Sequence, residues 1–154
     1  MGTLLLLRVD ARAESIGPLR DAVGSIASHI GLSDSQLYGV KLCVTEAVTN
    51  AVVHAYPDDE PGPLDVRVRH VADEVEIVVA DHGREAHGEL PHDHAGFGLG
   101  FISRLTDRCT FTAAAHGARV EMRFPLPRSA RYRFDRPLIS GPGRGTWLSL
   151  VPGR

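Results

Sequence analysis

From Ser33 to Ala55 the chain runs without a proline. It opens on a capping-box signature, Ser33 with Gln36 three residues on, which predicts one long helix over about Asp34 to Ala55. At about 100° per residue, Leu37, Val40, Val44, Val48 and Ala51 line one apolar stripe. Glu46 and Asn50 project from roughly the opposite side, near Leu42 and Val53. The helix is therefore expected to pack on one face while the other half-buries a polar pair. A carboxylate and an amide one turn apart in such surroundings suit metal binding and proton transfer. His54, a turn beyond Asn50, reads as structural, a neutral imidazole closing a hydrogen bond at the helix end.

The remaining segments have the periodicities of a sheet and a second helix. Leu4 to Val9 suits a first strand, and Ile16, Leu19, Val23, Ile26 and Ile30 fall at helical spacing within Glu14 to Ile30, before a stop at Gly31. Pro57 to Pro63 is a proline- and acid-rich loop. Leu64, Val66 and Val68 alternate with charged residues, and Val75, Ile77 and Val79 alternate after the Ala72-Asp73 break, predicting an antiparallel hairpin with one buried face. A glycine run follows, then helical character over Phe101 to Asp107. A second hairpin is carried by Cys109, Phe111 and Ala113 and by Val120, Met122 and Phe124. This order predicts an α+β two-layer sandwich, a mainly antiparallel mixed β-sheet with helices on one face.

A chain of 154 residues is one domain by length and needs no disulfide framework. Cys43 and Cys109 read as small buried residues, reduced in a cytoplasmic setting. No apolar run approaches the roughly 20 residues of a membrane span, so a cytoplasmic protein with no membrane partner is expected. A formal net charge of -2 provides no basic field for phosphate backbones and argues against direct nucleic-acid binding. From Pro125 onward the composition turns to proline, glycine and arginine. Residues 127–154 are therefore read as a tail, flexible or docked as a clip, beside a domain over 1–126.

Two further motifs lie downstream of the polar pair. Gly96-Phe-Gly98-Leu-Gly100 precedes a helix and can present backbone N–H groups to phosphate oxygens, with the positive helix end adding to the attraction. It lacks the lysine of a Walker loop and opens no βαβ unit, so neither a P-loop nor a dinucleotide fold is supported. Asp81 ends a strand before Gly83, and a carboxylate there can accept a hydrogen bond from an exocyclic amine, as adenine recognition requires. In isolation a glycine triplet is also a flexible connection and a strand-ending acid also a turn residue. The three pieces in one order are far more specific. Zinc binding by His87, His92 and His94 is not favoured, since their spacing fits no strong metal template.

The helix EAVTNAVVH at 46–54, DHG at 81–83 and GFGLGF at 96–101 resemble the asparagine box and the two glycine boxes of the Bergerat ATP-binding fold, shared by gyrase, histidine kinases and heat-shock chaperones. Within that superfamily the compact form most resembles the bacterial anti-sigma-factor serine/threonine kinases, over about Leu4 to Leu126, with Arg20 in the first helix also fitting. The resemblance implies ATP and Mg2+ as cofactors. Glu46 would be the general base, Asn50 a Mg2+ ligand and Asp81 the adenine-reading acid. Gly83 would let the base approach, while Gly98, Leu99 and Gly100 would face the phosphates, with Gly96 in a lid.

Two departures bear on binding. Arg84-Glu85 follow the first glycine box where the family often keeps another glycine, and Gly117-Ala118 stands where it often has Gly-Thr, removing a hydroxyl near the nucleotide. The expected function is an ATP-dependent kinase that holds a sigma factor and phosphorylates an anti-anti-sigma factor, acting as a homodimer through the region around Arg20. The alternative is a non-catalytic, ATP-gated protein-binding module of the same fold. A sensor histidine kinase ranks last, because this chain is not expected to have room for a phosphoacceptor-histidine hairpin.

Overall fold

The opening apolar run forms the first strand of a five-stranded sheet in a computed structural model, which describes residues 2–56, 60–83, 106, 108–114 and 116–127. The strands are β1 (Gly2–Asp10), β2 (Pro63–Val71), β3 (Glu74–Asp81), β4 (Arg108–Ala114) and β5 (Gly117–Pro125). Their spatial order is β1-β2-β3-β5-β4, and every neighbouring pair is antiparallel. β3 is central, so its C-terminal end lies between the start of β2 and the start of β5.

Among the described residues two helices cover one face. α1 (Ala13–His29) packs on α2 (Asp34–His54) and β1, and α2 lies over β3 and β5. α1 buries Leu19, Val23, Ala27 and the adjoining Ile30, with Ile16 and Ile26 half-buried, close to the pattern the spacing predicts. α2 starts as its sequence requires. The Ser33 hydroxyl accepts from the Gln36 N–H at 3.3 Å, and the Gln36 side chain accepts from the Ser33 N–H at 3.0 Å. Its buried lane is wider than the predicted stripe, because Gly39, Cys43 and Ala47 join Val40, Val44, Val48 and Ala51 between α1 and the sheet. Each fully buried valine in this layer contributes about 1.5–3 kcal/mol relative to exposure.

β2 alternates as expected, with Leu64, Val66 and Val68 inward and Asp65, Arg67 and Arg69 half-exposed. β3 does not have a single buried face, since Val75 through Val79 are all buried, Glu76 among them at 0 % exposure. The reason is its central position. Long side chains from β2 and β5 reach over its outward face, where Arg69 Nε donates to Glu76 Oε1 at 2.8 Å and Arg123 Nη2 to Oε2 at 2.9 Å. Both carboxylate oxygens are thereby met by guanidinium groups, the condition under which a buried charge is tolerated. The predicted helix over Phe101 to Asp107, the glycine run and the tail lie outside the described residues, apart from Thr106, which is buried, and Pro127 at the start of the tail.

Candidate functional site at the ends of the second helix and the central strand

Glu46 and Asn50 sit one turn apart on α2, both half-buried, on the flank left open by the buried lane. The expected half-buried polar pair is therefore present. Cys43, one turn before Glu46, is 1 % exposed, and its thiol is pushed up to about 12, first by burial and then by Cys109 and Glu46. It stays neutral at physiological pH and serves as packing, not as a nucleophile. Both cysteines are free thiols.

Asp81 closes β3, and the fold brings three chain segments to it. Its Oδ1 accepts from the Gly83 N–H and from the Ala118 N–H, each at 3.1 Å, and among the described residues Oδ2 makes no bond. The carboxylate is thus fixed by two backbone donors through one oxygen, and among the described residues the other is left with its accepting capacity. Gly83 is pressed against the end of α2, where a Cβ would stand 2.1 Å from the Ala55 carbonyl oxygen. Gly117, at φ +111, would put a Cβ 2.1 Å from the Asp81 carbonyl oxygen. Only glycine allows the first glycine box to lie against α2 and the β4–β5 turn to lie against Asp81.

A second layer of contacts braces this corner. The Tyr56 hydroxyl accepts from the His82 N–H at 2.8 Å and donates to the Pro63 carbonyl. His82 Nε2 is 2.8 Å from Asp65 Oδ2, and Asp65 also takes a bidentate bond from Arg8, at 2.6 and 2.7 Å. The Arg8 guanidinium holds the Asp65 carboxyl below its ordinary range, against the opposing effect of burial and with help from His82.

Of the predicted site residues, Glu46, Asn50, Asp81 and Gly83 fall among the described residues, and the Gly83 N–H that bonds Asp81 belongs to a residue lying against the end of α2. Gly96, Gly98, Leu99 and Gly100 lie outside the described residues. His54 is exposed and makes no hydrogen bond among the described residues, while the adjoining Ala55 N–H donates to the Ala51 carbonyl at 3.0 Å. Sequence reasoning missed Tyr56, which reads as one more half-apolar residue after a helix. It saw in Gly117-Ala118 the loss of a hydroxyl near the nucleotide and not the backbone donor. The backbone at Ala118, whatever its side chain, is a direct partner of Asp81.

Comparison with known proteins places this geometry. Residues 9–124 match the family model of the histidine kinase-like ATPase domain. The chain is similar to the serine-protein kinase RsbW of Oceanobacillus iheyensis, 33% identical over 116 residues, covering 66% of this chain and 73% of that one. It is also similar to RsbW of Bacillus subtilis, 36% identical over 77 residues, covering 50% of this chain and 48% of that protein, so this match spans about half of the relative. A solved structure of the RsbU and RsbW domains of a Mycobacterium tuberculosis protein superposes with a TM-score of 0.63 at 22% identity, over 79% of this chain and 32% of that one. The histidine kinase domain of a blue-light activated kinase from Erythrobacter litoralis superposes at 0.55 and 21% identity, over 73% and 63%. These two likenesses establish the fold alone, and it is the ATP-binding sandwich the motifs predict. With three-quarters of its length under that family model, this chain belongs to the histidine kinase-like ATPase domain family and stands beside its RsbW serine-protein kinases.

Proposed function

We propose that this protein is an ATP- and Mg2+-dependent serine/threonine protein kinase and anti-sigma factor, which holds a sigma factor and phosphorylates an anti-anti-sigma factor to regulate transcription by partner switching. The observation that carries the reading is the half-buried Glu46 and Asn50 pair on a helix whose end lies against Gly83, the residue whose N–H helps to fix the Asp81 carboxylate. The ATPase family supports ATP use, and the RsbW relatives are serine-protein kinases by name.

Phosphoryl transfer is mostly positioning and charge neutralisation, and each residue has a share. Asp81 Oδ2 accepts from the exocyclic amine of adenine. Gly98, Leu99 and Gly100 present backbone N–H groups to the phosphates, with Gly96 in the lid. Glu46 takes the proton of the acceptor hydroxyl as its oxygen bonds to the γ-phosphorus, and ADP leaves with the electron pair of the broken bond. Asn50 is half-buried, and its amide oxygen fits a hard cation that keeps most of its ligands as water and phosphate and would hold Mg2+, which supplies charge neutralisation when bound.

The protein acts in the cytoplasm, with no nucleic acid or membrane as direct partner. Among the described residues no helix is long and apolar enough to cross a membrane. It forms a homodimer around Arg20, whose Nε donates to Asp21 at 2.9 Å on the exposed part of α1. The test is a pull-down with and without Mg-ATP, followed by analysis of the captured partner for phosphoserine or phosphothreonine. A captured partner phosphorylated only with Mg-ATP is the expected result. Binding of ATP without any phosphotransfer would favour the nucleotide-gated module, and absence of ATP binding would overturn both readings. Residues 127–154 form an extension to the ATP-binding unit over 1–126, so a chain truncated after Leu126 should keep its nucleotide affinity in competition binding. A large loss would place the tail in the site.

A further inference from the structure

We infer that Tyr56 is a positioning residue for nucleotide recognition, its hydroxyl locking the Asp81 turn to the end of α2 and so setting ATP affinity and the preference for adenine. The inference rests on the reading of Asp81 as the adenine acceptor.

Three elements converge on one oxygen. Tyr56 follows the end of α2, its hydroxyl accepts from the N–H of His82 at the end of β3, and it donates to the carbonyl of Pro63, the first residue of β2. The His82 N–H belongs to the peptide group that joins Asp81 to His82, so this bond fixes the backbone from which the Asp81 carboxylate hangs. Ala55, the preceding residue, meets the same turn from its other side, its carbonyl oxygen lying where a Cβ on Gly83 would stand, at 2.1 Å. Consecutive residues at the helix end therefore grip His82 and Gly83.

The ring is placed as firmly as the hydroxyl. A Cβ on Gly62 would stand 2.2 Å from Tyr56 Cε1, so the ring lies flat against the backbone before β2. Burial pushes the phenol pKa up, Asp81 and Asp65 add to that, and the His82 N–H opposes it, so the group stays protonated and remains a donor to Pro63. Phenylalanine at 56 would keep the ring contacts and leave the His82 N–H and the Pro63 carbonyl without this partner.

The measurements are competition binding of ATP and GTP, with kcat at saturating ATP, for wild type, Tyr56→Phe and Tyr56→Leu. Tyr56→Phe should weaken ATP about tenfold, weaken GTP far less, and leave kcat largely intact, the scale expected for a lost hydrogen bond with its donor left unsatisfied. A packing role would instead leave Tyr56→Phe like wild type and impair only Tyr56→Leu, which overturns the inference. Equal losses for both nucleotides together with kcat would mean general damage and overturn it as well. If Tyr56→Phe fails to fold, Gly62→Ala decides, since it displaces the ring without removing the hydroxyl. It should lower the ATP-to-GTP preference, and an unchanged preference refutes the lock. A wild-type protein that selects ATP, an Asp81→Asn variant that loses this selection and an unaffected Tyr56→Phe would refute the lock alone. Failure of wild type to bind ATP would remove the underlying reading with it.

Discussion

Glu46→Gln is expected to slow phosphotransfer by about 10²–10⁴, the range in which a general base contributes, while ATP affinity changes little. Glutamine keeps the length and the helix propensity of glutamate and removes only the basic oxygen. Glu46 faces away from the core lane of Val40, Val44 and Val48, so α2 should pack unchanged, and thermal unfolding of the variant should match wild type. Single-turnover transfer of labelled phosphate to the partner protein separates the chemical step from binding. A variant as fast as wild type would show that Glu46 is not the base.

Asp81→Asn should have the larger effect on binding. The amide oxygen can keep the two bonds from the Gly83 and Ala118 N–H groups, so the corner of the fold survives. The amide nitrogen then stands where Oδ2 was, a donor facing the donor amine of adenine. Loss of a charge-assisted hydrogen bond, about 1.5–3 kcal/mol, corresponds to a fall in ATP affinity of about 10- to 150-fold. Preference for ATP over GTP should fall with it, since guanine offers an acceptor where adenine has its amine. Competition binding measures both. Unchanged affinity and unchanged preference would remove Asp81 from the adenine site and leave its two backbone bonds as a purely structural feature.

The legible parts of the sequence were those decided by local periodicity. A capping box and a 3.6-residue repeat place α2 from end to end, because caps and side-chain directions on a helix depend on residues within one turn. Alternation places β2 for the same reason. It failed for β3, where Glu76 reads as a solvent-facing residue and is buried between Arg69 and Arg123. No local rule reports which strand is central or which long side chains will close over it.

The candidate site divides in the same way. Glu46, Asn50, Asp81 and Gly83 were visible as residue types in one order, and their chemistry follows from what carboxylates, amides and glycine can do. Their assembly was not visible. The need for glycine at 83 comes from the Ala55 carbonyl, 28 residues earlier by their numbers, and at 117 from the Asp81 carbonyl. Asp81 is held by Ala118 across a separation of 37 residues, and Tyr56 reaches His82 across 26. The sequence by itself determined the elements, the family of the fold and the chemical groups available. Only the tertiary structure decided which backbone atoms fix the Asp81 carboxylate and which side chain bonds to its turn, because those contacts form between segments that meet only once the sheet is ordered.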